Sequence, residues 1–465
     1  IGRRIGLLYA SNTVGAVAGA LATAFLLLPM LGLTRSIWVG AAFNVVVFLL
    51  AALLVQRERG AAVPPAEVRR EPAHPGFRIG LPPGPGWVLP LMLFSGAVSF
   101  IHEVLWTRML AQVVGSSIYA FGVMVGSFLS GIALGGAAGA LLARSRAASI
   151  NALAIALLAA GLWAGIAFLL LERLVPAQAG LYANLSFAFL LLLPLTFAIG
   201  TTYPLAVRIL ADRAADAAPA SARVYAWNTV GGIAGALAAG FVIIPELRYE
   251  GTIRLAAGAS LVLALLAVLV LEKRRVWVGA AVGVVALAGI LAFRPGVPQR
   301  LLLSSPLNVG GTGQIVHYDV GRSASVVVLK QDGGLALRTN GLPEALMDSP
   351  GMPPRFSGEF WMSPLAVIAN PSARDMLIVG FGGGVVVEGV PPSVQRIDVI
   401  ELEPKVIAAN RSTVAQRKFN PLGDPRVNVI TNDARGALAL TDRRYDAIVS
   451  QPSHPWTAGA SHLYT

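Results

Sequence analysis

The chain has 465 residues, of which 55% are hydrophobic and only 13% are charged, and its formal net charge is +12. Because an ordinary soluble domain is about a quarter charged, this composition argues against a wholly soluble chain and predicts a region that faces lipid. The absence of cysteine excludes disulfides, thiolate metal sites and cysteine nucleophiles.

The positive charge belongs mostly to the apolar part of the chain. Residues 1–293 contain 20 Lys and Arg against 10 Asp and Glu, whereas residues 294–465 contain 16 against 14. Basic residues between apolar runs are typical of the cytoplasmic loops of membrane helices, while a nucleic-acid surface would be a continuous basic stripe. The predicted partner is therefore a lipid bilayer and not a nucleic acid.

Nine apolar segments are long enough to cross a bilayer as α-helices, which takes about 20 residues at 1.5 Å per residue. They are residues 7–30, 36–55, 87–110, 117–142, 150–171, 181–210, 224–245, 252–271 and 276–293.

An internal repeat links the two ends of this region. The sequence YASNTVGAVAGAL at residues 9–21 recurs as YAWNTVGGIAGAL at residues 225–237, with an offset of 216. Duplicated helical units are typical of transporters. We therefore expect residues 1–55 to be the last two helices of a truncated first membrane unit, 56–86 a Pro/Arg-rich linker, and 87–293 a second membrane unit. The repeat glycines are interpreted as contacts between closely packed helices.

Arginine and lysine counts predict an orientation. Fifteen lie on the side that begins with Arg3 and Arg4, and five lie on the opposite side, so the rich side is expected to be cytoplasmic. A crossing by residues 276–293 would then place the following domain outside the cell, although nucleoside cofactors are expected inside. The side that carries the domain is left open.

Three ionisable residues, His102, Glu103 and Arg108, lie within an apolar run. Such groups are costly in a membrane unless they pair or line an aqueous cavity. They are candidates for a functional site, and an internal structural ion pair is the alternative.

The last third of the chain has the pattern of an α/β domain. Short alternating runs at residues 325–330 and 334–338 predict a small β-subdomain within residues 294–345. Apolar strands at 375–379, 396–400, 427–430 and 446–449 then alternate with helical stretches, which predicts a Rossmann-like parallel sheet over residues 346–465, cut short at its C-terminal end.

The carboxyl ends of these strands carry a candidate nucleoside site. The first strand runs into a glycine turn, residues 380–384, and the second ends at Glu401 and Glu403, where a carboxylate is placed to accept ribose hydroxyls. The third ends at Asp433 and Ala434, and the fourth leads into residues 451–456. The predicted cofactor-binding residues are Gly380, Gly382, Gly383, Gly384, Glu401, Glu403, Asp433 and Ala434.

With these motifs in order, residues 313–465 resemble the spermidine synthase (polyamine aminopropyltransferase) family. The helical part, with SFIHEVLWTR at residues 99–108 and the two repeats, resembles bacterial fusions of that domain to a major-facilitator-like region. The resemblance implies a pocket for decarboxylated S-adenosylmethionine or S-adenosylmethionine. It also implies a small amine substrate and a location in the bacterial plasma membrane. A homo-oligomer is compatible with it. No metal is expected, because the five histidines show no ligand spacing.

The chain departs from the family at the residues expected to handle the amine. Gly383 and Gln451 stand where the family has aspartates, and His454 replaces a second acidic residue in the same loop. Gln451 cannot accept a proton, whereas His454, with an unperturbed pKa of about 6.5, is suited to act as a base. Capping of a loop is the alternative role for His454.

The favoured function is a membrane-bound transferase that acts on a polyamine-like amine. One alternative is a transporter or membrane sensor whose domain binds a nucleoside without turnover. The other is an S-adenosylmethionine-dependent methyltransferase, which needs neither aspartate.

Overall fold

The structure is a computed structural model that describes residues 2–60, 84–115, 118–175, 181–211, 213, 216–271, 276–307, 313–331, 333–353 and 355–451. Most of the predicted linker and residues 452–465 lie outside this part.

The first two thirds of the chain form a helical region. Among the described residues it has nine long helices, and each predicted segment is matched over most of its length by one of them. They are α1 (Gly2–Ala22), α2 (Leu28–Gly60), α3 (Val88–Val114), α4 (Ile118–Leu142), α5 (Arg146–Leu174), α6 (Leu181–Leu210), α7 (Ala217–Ala238), α8 (Ile244–Leu271) and α9 (Val276–Ala292). A short helix, α10 (Gln299–Leu303), follows.

Among the described residues, six continuous helical segments are long and apolar enough to cross a membrane. Two of these, Ser11–Arg57 and Ala217–Leu269, are 47 and 53 residues long. Since about 20 residues suffice for one span, each has the length of two of the predicted segments. Length and composition thus fit the predicted spans, apart from the shorter apolar helix Gly279–Ala292.

The structure repeats where the sequence repeats. A π-helical turn, Thr23–Leu27, separates α1 from α2, and a second, Ala239–Ile243, separates α7 from α8 at the same offset of 216. A residue with non-helical dihedral angles follows at the matching place in each copy, Gly32 and Arg248. The repeat is therefore a repeat of backbone geometry as well as of sequence.

Close packing explains the repeat glycines in the second copy. A Cβ at Gly231 would lie 1.8 Å from the Leu93 carbonyl oxygen, and one at Gly235 would lie 2.2 Å from that of Ala97, so only glycine lets α7 approach α3. The interpretation does not hold for Gly15 and Gly19, whose Cβ positions meet nothing within 4 Å among the described atoms.

Four antiparallel strands form a β meander after the helices. They are β1 (Gln314–Val320), β2 (Ser325–Gln331), β3 (Gly334–Thr339) and β4 (Leu342–Asp348), in that spatial order. The strand β4 ends beyond the predicted boundary at 345. Because successive side chains point to opposite faces, Val327 and Leu329 join the core of the helical region. Val326 and Val328 pack against the following α/β domain. The meander is thus a layer between the two.

The α/β domain has a four-stranded parallel sheet. Its strands are β5 (Asp375–Val379), β6 (Arg396–Glu401), β7 (Val427–Thr431) and β8 (Ala447–Ser450), in the order β7-β6-β5-β8. Its helices are α11 (Gly358–Ala369), α12 (Val385–Glu388), α13 (Pro404–Ser412) and α14 (Ala434–Leu440). The chain passes from β5 to β6 on one side and returns to β8 on the other, so the switch point lies at the carboxyl end of β5. Ligands bind at such points in open α/β sheets.

The meander packs against the arginine-poor end of the helical region, where Gln112 of α3 donates to the Ser325 hydroxyl at 2.7 Å and the Tyr318 hydroxyl donates to Glu250 of α8 at 3.3 Å. The Arg300 backbone N–H donates to Glu172 at 2.9 Å, and its guanidinium donates to the Arg173 carbonyl oxygen at 2.8 Å. Helix α9 runs from the opposite end of the helical region to the arginine-poor end. Its Gly279 lies against Val268 near the end of α8, and Phe293, just after α9, packs on Phe168 near the end of α5.

Candidate functional site

The glycine turn after β5 has a backbone that requires glycine. Gly380, Gly382 and Gly384 have φ values of 87°, 52° and 77°, which other residues rarely adopt. The Gly384 N–H closes the turn on the Phe381 carbonyl oxygen at 2.7 Å. A Cβ at Gly380 or Gly382 would meet nothing within 4 Å. Among the described residues, no atom blocks the outer side of the turn, which is therefore open to a ligand.

Glu401, the last residue of β6, lies beside this turn. One carboxylate oxygen accepts a hydrogen bond from the Phe381 N–H at 2.8 Å, and the other accepts one from the Glu403 N–H at 2.9 Å. The side chain is buried. A carboxylate has about four lone-pair sites, so it retains acceptor capacity for hydroxyls while it holds the turn in place.

Glu403 does not fit its predicted role in binding the cofactor. One of its oxygens caps α13 by accepting from the Lys405 N–H at 3.1 Å. The other accepts from both the N–H and the hydroxyl of Ser323, at 2.9 and 2.7 Å. The carboxylate is buried and faces the meander. We correct its role to a structural one.

Asp433 and Ala434 begin α14 at the carboxyl end of β7. The Asp433 carboxylate accepts from the Gly436 N–H at 2.9 Å and caps the helix. The neighbouring Asn432 N–H donates to the Glu401 carbonyl oxygen at 3.1 Å, which places this loop next to the end of β6. Asp433 is exposed, so its carboxylate is available to a ligand over the sheet edge.

The absence of a side chain at Gly383 is fixed by packing. A Cβ there would lie 2.5 Å from the Ala345 Cβ and 3.1 Å from the Met347 Cγ, both in β4. The backbone of the turn accordingly has no room for the aspartate that the resemblance implies at this position.

A buried polar group behind the turn was not expected from sequence. The Asn410 amide donates to the Gly382 carbonyl oxygen at 2.8 Å, and the Arg417 guanidinium donates to that of Gly383 at 2.8 Å. Arg417 also pairs with Glu388 at 2.5 Å. Burial raises the pKa of Glu388, and the Arg417 charge opposes this rise. These residues hold the turn from the side opposite the open face.

Gln451 follows β8 and is the last residue described. Its side chain forms a hydrogen bond with Glu359, in the first turn of α11. The sequence does not predict Glu359 as a site residue. Burial raises the pKa of Glu359; the Gln451 hydrogen bond lowers it, and the nearby Glu344 carboxylate raises it further. A carboxylate therefore lies beside the amide that stands where the family has an aspartate.

His454 lies outside the described residues, as does the rest of the 451–456 loop after Gln451. Asp446, at the base of β8, accepts the N–H groups of Arg374 and Asp375 at 2.8 and 2.9 Å, which lowers its pKa. It joins β8 to β5 at the end of the sheet away from the site.

The three ionisable residues of α3 do not form one site. His102 is buried and lines a cavity of about 10 Å³ with Ser95, Ser99, Thr202 and others, which is room for about one water molecule. Arg108 donates to the Gly321 carbonyl oxygen at 2.8 Å. Among the described residues, the ion pairs do not join Arg108 to Glu103, and a functional role of the three residues stays a prediction.

Comparison with known proteins identifies relatives of this fold and site. Residues 361–465 match the spermine/spermidine synthase domain. Polyamine aminopropyltransferase 2 of Streptomyces coelicolor is 27% identical over 411 residues, which are 81% of this chain and 69% of that protein. The chain is a homologue of the polyamine aminopropyltransferases. The predicted resemblance is thereby confirmed, and because the aligned length exceeds the C-terminal domain, it includes the helical region.

A second aminopropyltransferase and a solved structure are also similar to this chain. The polyamine aminopropyltransferase of Mycobacterium tuberculosis is 28% identical over 409 residues, which are 81% of this chain and 73% of that protein. A spermidine synthase crystallised with the transition state analogue AdoDATO is 20% identical, with 34% of this chain and 52% of that chain covered and a TM-score of 0.27.

Proposed function

We propose that this homologue is a membrane-bound transferase that binds decarboxylated S-adenosylmethionine or S-adenosylmethionine and modifies a polyamine-like amine. One observation carries the proposal. Within the matched spermine/spermidine synthase domain, a glycine turn with an open outer face lies against the Glu401 carboxylate at the switch point of a parallel sheet. This arrangement suits a nucleoside, because backbone without Cβ atoms admits the ligand and a carboxylate accepts its ribose hydroxyls.

The reaction needs a group that accepts the amine proton. When the amine nitrogen attacks the methylene carbon beside the sulfonium, the carbon–sulfur bond breaks, its electron pair goes to sulfur, and the nitrogen loses a proton. Gln451 cannot take that proton, but it holds Glu359, whose raised pKa makes it a better base than an ordinary carboxylate. In this proposal Glu359 accepts the proton, and His454 is the other candidate.

The test uses the full chain in detergent with putrescine as the acceptor and each nucleoside as the donor. Product analysis by mass spectrometry is expected to show spermidine and methylthioadenosine with decarboxylated S-adenosylmethionine. Binding of that donor without product would reject the transferase and favour a nucleoside-binding sensor or transporter. Preference for S-adenosylmethionine with methylated amine as product would assign a methyltransferase instead.

A methyltransferase is the second candidate because of Gly383. The aspartate implied there would hold the amino group of a decarboxylated donor, and the contact of this position with Ala345 excludes it from the present backbone. A methyl donor keeps its carboxylate and does not depend on that aspartate.

The helical region in this proposal lies in the bacterial plasma membrane. Its support is the length and apolar character of the helices, together with large exposed side chains such as Trp38, Phe48 and Leu190, which are 71%, 70% and 65% exposed. Contiguous apolar surface of this kind is costly in water. Recovery of the chain in the membrane fraction after alkaline washing is expected, and its release into the supernatant would contradict this location.

A further inference from the structure

The turn between β1 and β2, residues 321–323, contacts the helical region through Arg108. Arg108 of α3 donates from Nη1 to the Gly321 carbonyl oxygen at 2.8 Å and from Nη2 to that of Arg322. The same Nη2 lies 3.4 Å from the Gly240 carbonyl oxygen in the π-helical turn before α8. Arg108 therefore joins two helical elements to the β1–β2 turn.

The other side of the β1–β2 turn contacts Glu403. Ser323 donates to the Glu403 carboxylate from both its N–H and its hydroxyl. The approach requires glycine at 321, because a Cβ there would lie 2.0 Å from Glu403 Oε1. Glu403 is only 4% exposed, so water cannot readily replace these bonds.

From Glu403 the hydrogen bonds continue to the glycine turn. The Glu403 N–H donates to one oxygen of Glu401, and the other oxygen accepts the Phe381 N–H. Hydrogen bonds thus connect Arg108 to Phe381 through the β1–β2 turn, Glu403 and Glu401, and each of these holds the next in place. A shift of the β1–β2 turn would move Glu403, and through it the Glu401 carboxylate.

We propose that Arg108 is a positioning residue for the nucleoside site and acts through the β1–β2 turn, Glu403 and Glu401. The inference rests on the proposed function for its ligand, while the chain of contacts stands without it. An arginine suits this role because its planar fork serves two consecutive carbonyl oxygens at once, whereas a lysine is a point donor. The helical region would then set the geometry of the site as well as anchor it.

The first test needs no ligand. In the full chain, Arg108→Gln and Ser323→Ala are compared with Arg248→Gln, a control at the same interface whose side chain contacts Tyr318 and Glu250. Loss of bonds worth about 1.4 kcal/mol is expected to speed amide hydrogen exchange in the glycine turn about tenfold in both variants. Arg248→Gln removes contacts to β1 and not to residues 321–323, so amide exchange in its glycine turn is expected to match the wild type. Unchanged exchange at the glycine turn in Arg108→Gln would overturn the proposal.

The second test measures nucleoside affinity by calorimetry on the same proteins. Arg108→Gln is expected to weaken binding about tenfold, as a loss of about 1.4 kcal/mol implies, with KM raised and kcat retained, and Arg108→Lys is expected to recover part of the loss. Arg108 and Ser323 belong to the same series of hydrogen bonds. The double variant Arg108→Gln, Ser323→Ala should therefore bind the nucleoside no more weakly than the weaker-binding single variant. Additive losses of affinity would refute this series. A wild-type chain that binds no nucleoside would overturn the proposed function, while the exchange comparison would still decide the role of Arg108.

Discussion

Replacement of Glu401 by glutamine tests whether its carboxylate holds the glycine turn. The carboxylate accepts two backbone N–H groups, from Phe381 and Glu403, and is 8% exposed. Glutamine offers one acceptor oxygen, and its NH₂ group faces the second N–H as a donor. One buried N–H therefore loses its partner, at a cost of about 1 to 3 kcal/mol, and the other bond loses its charge.

The expected destabilisation of the α/β domain is thus about 3 kcal/mol. For a domain of about 150 residues this lowers the midpoint of thermal unfolding by roughly 10 °C. Circular dichroism of the full chain in detergent measures that midpoint, and hydrogen exchange at Phe381 reports the turn itself. Glu246→Gln, at an exposed glutamate of α8, is the matched control.

Comparison of Glu401→Gln with Glu246→Gln shows whether the Glu401 carboxylate stabilises the glycine turn or only contacts a ligand. A Glu401→Gln protein that unfolds with the wild-type midpoint and keeps slow exchange at Phe381 would show that the carboxylate does not hold the turn. Glu401 would then not position the glycine turn, even if nucleoside affinity fell.

Three further predictions concern the active residues and the packing. Gly383→Asp is expected to destabilise the α/β domain by about 1 to 3 kcal/mol through contact with Ala345, and the added Ala345→Gly should restore the unfolding midpoint; no drop in the single variant would contradict the contact. Because burial raises the pKa of Glu359, kcat should rise with pH through that raised value as the carboxylate forms. Glu359→Gln should flatten this limb and lower kcat about 100-fold, and a retained pH profile would exclude Glu359. Gly235→Leu should lower the thermal midpoint of the helical region, while Gly19→Leu should leave it unchanged; equal effects would refute the difference between the repeats.

An outer location of the α/β domain is also expected from the arginine count, since the β meander that precedes the domain packs at the arginine-poor end of the helical region. Protease added to intact spheroplasts should then cleave within residues 294–465. Protection of the domain, with cleavage only after lysis, would place it in the cytoplasm.

The elements that can be predicted from the sequence are those whose own residues form a continuous apolar run. Strands β2, β3 and β5 to β8 were predicted because buried strands consist of short apolar runs. The sequence does not predict the edge strands β1 and β4, because Pro343 and Glu344 in β4 and the polar residues of β1 interrupt the apolar pattern. Proline and charge are common on edge strands, where one side needs no partner.

The contacts that fix the glycine turn could not be predicted from spacing. Asn410 and Arg417 reach carbonyl oxygens 28 and 34 residues earlier in the chain. Glu359 meets Gln451 across the sheet. Bonds from side chain to backbone leave no periodic signal, because they need one polar residue at one place in the fold. Glu403 was assigned to the ligand for the same reason, since only the position of Ser323 reveals its partner.

The two copies of the repeat differ where the second one meets the β meander. Gly32 and Arg248 occupy the same place and have similar dihedral angles, with φ of 72° and 55° and ψ of 179° and −167°. Glycine adopts this conformation freely, whereas another residue pays about 1 to 3 kcal/mol. Arg248 pairs with Glu250 at 3.2 Å and places its guanidinium 5.5 Å from the centre of the Tyr318 ring in β1. The kink is thus a feature of both copies of the repeat. In the second copy, the contacts of Arg248 with Glu250 and the meander offset the backbone strain at this position, which the first copy avoids with Gly32.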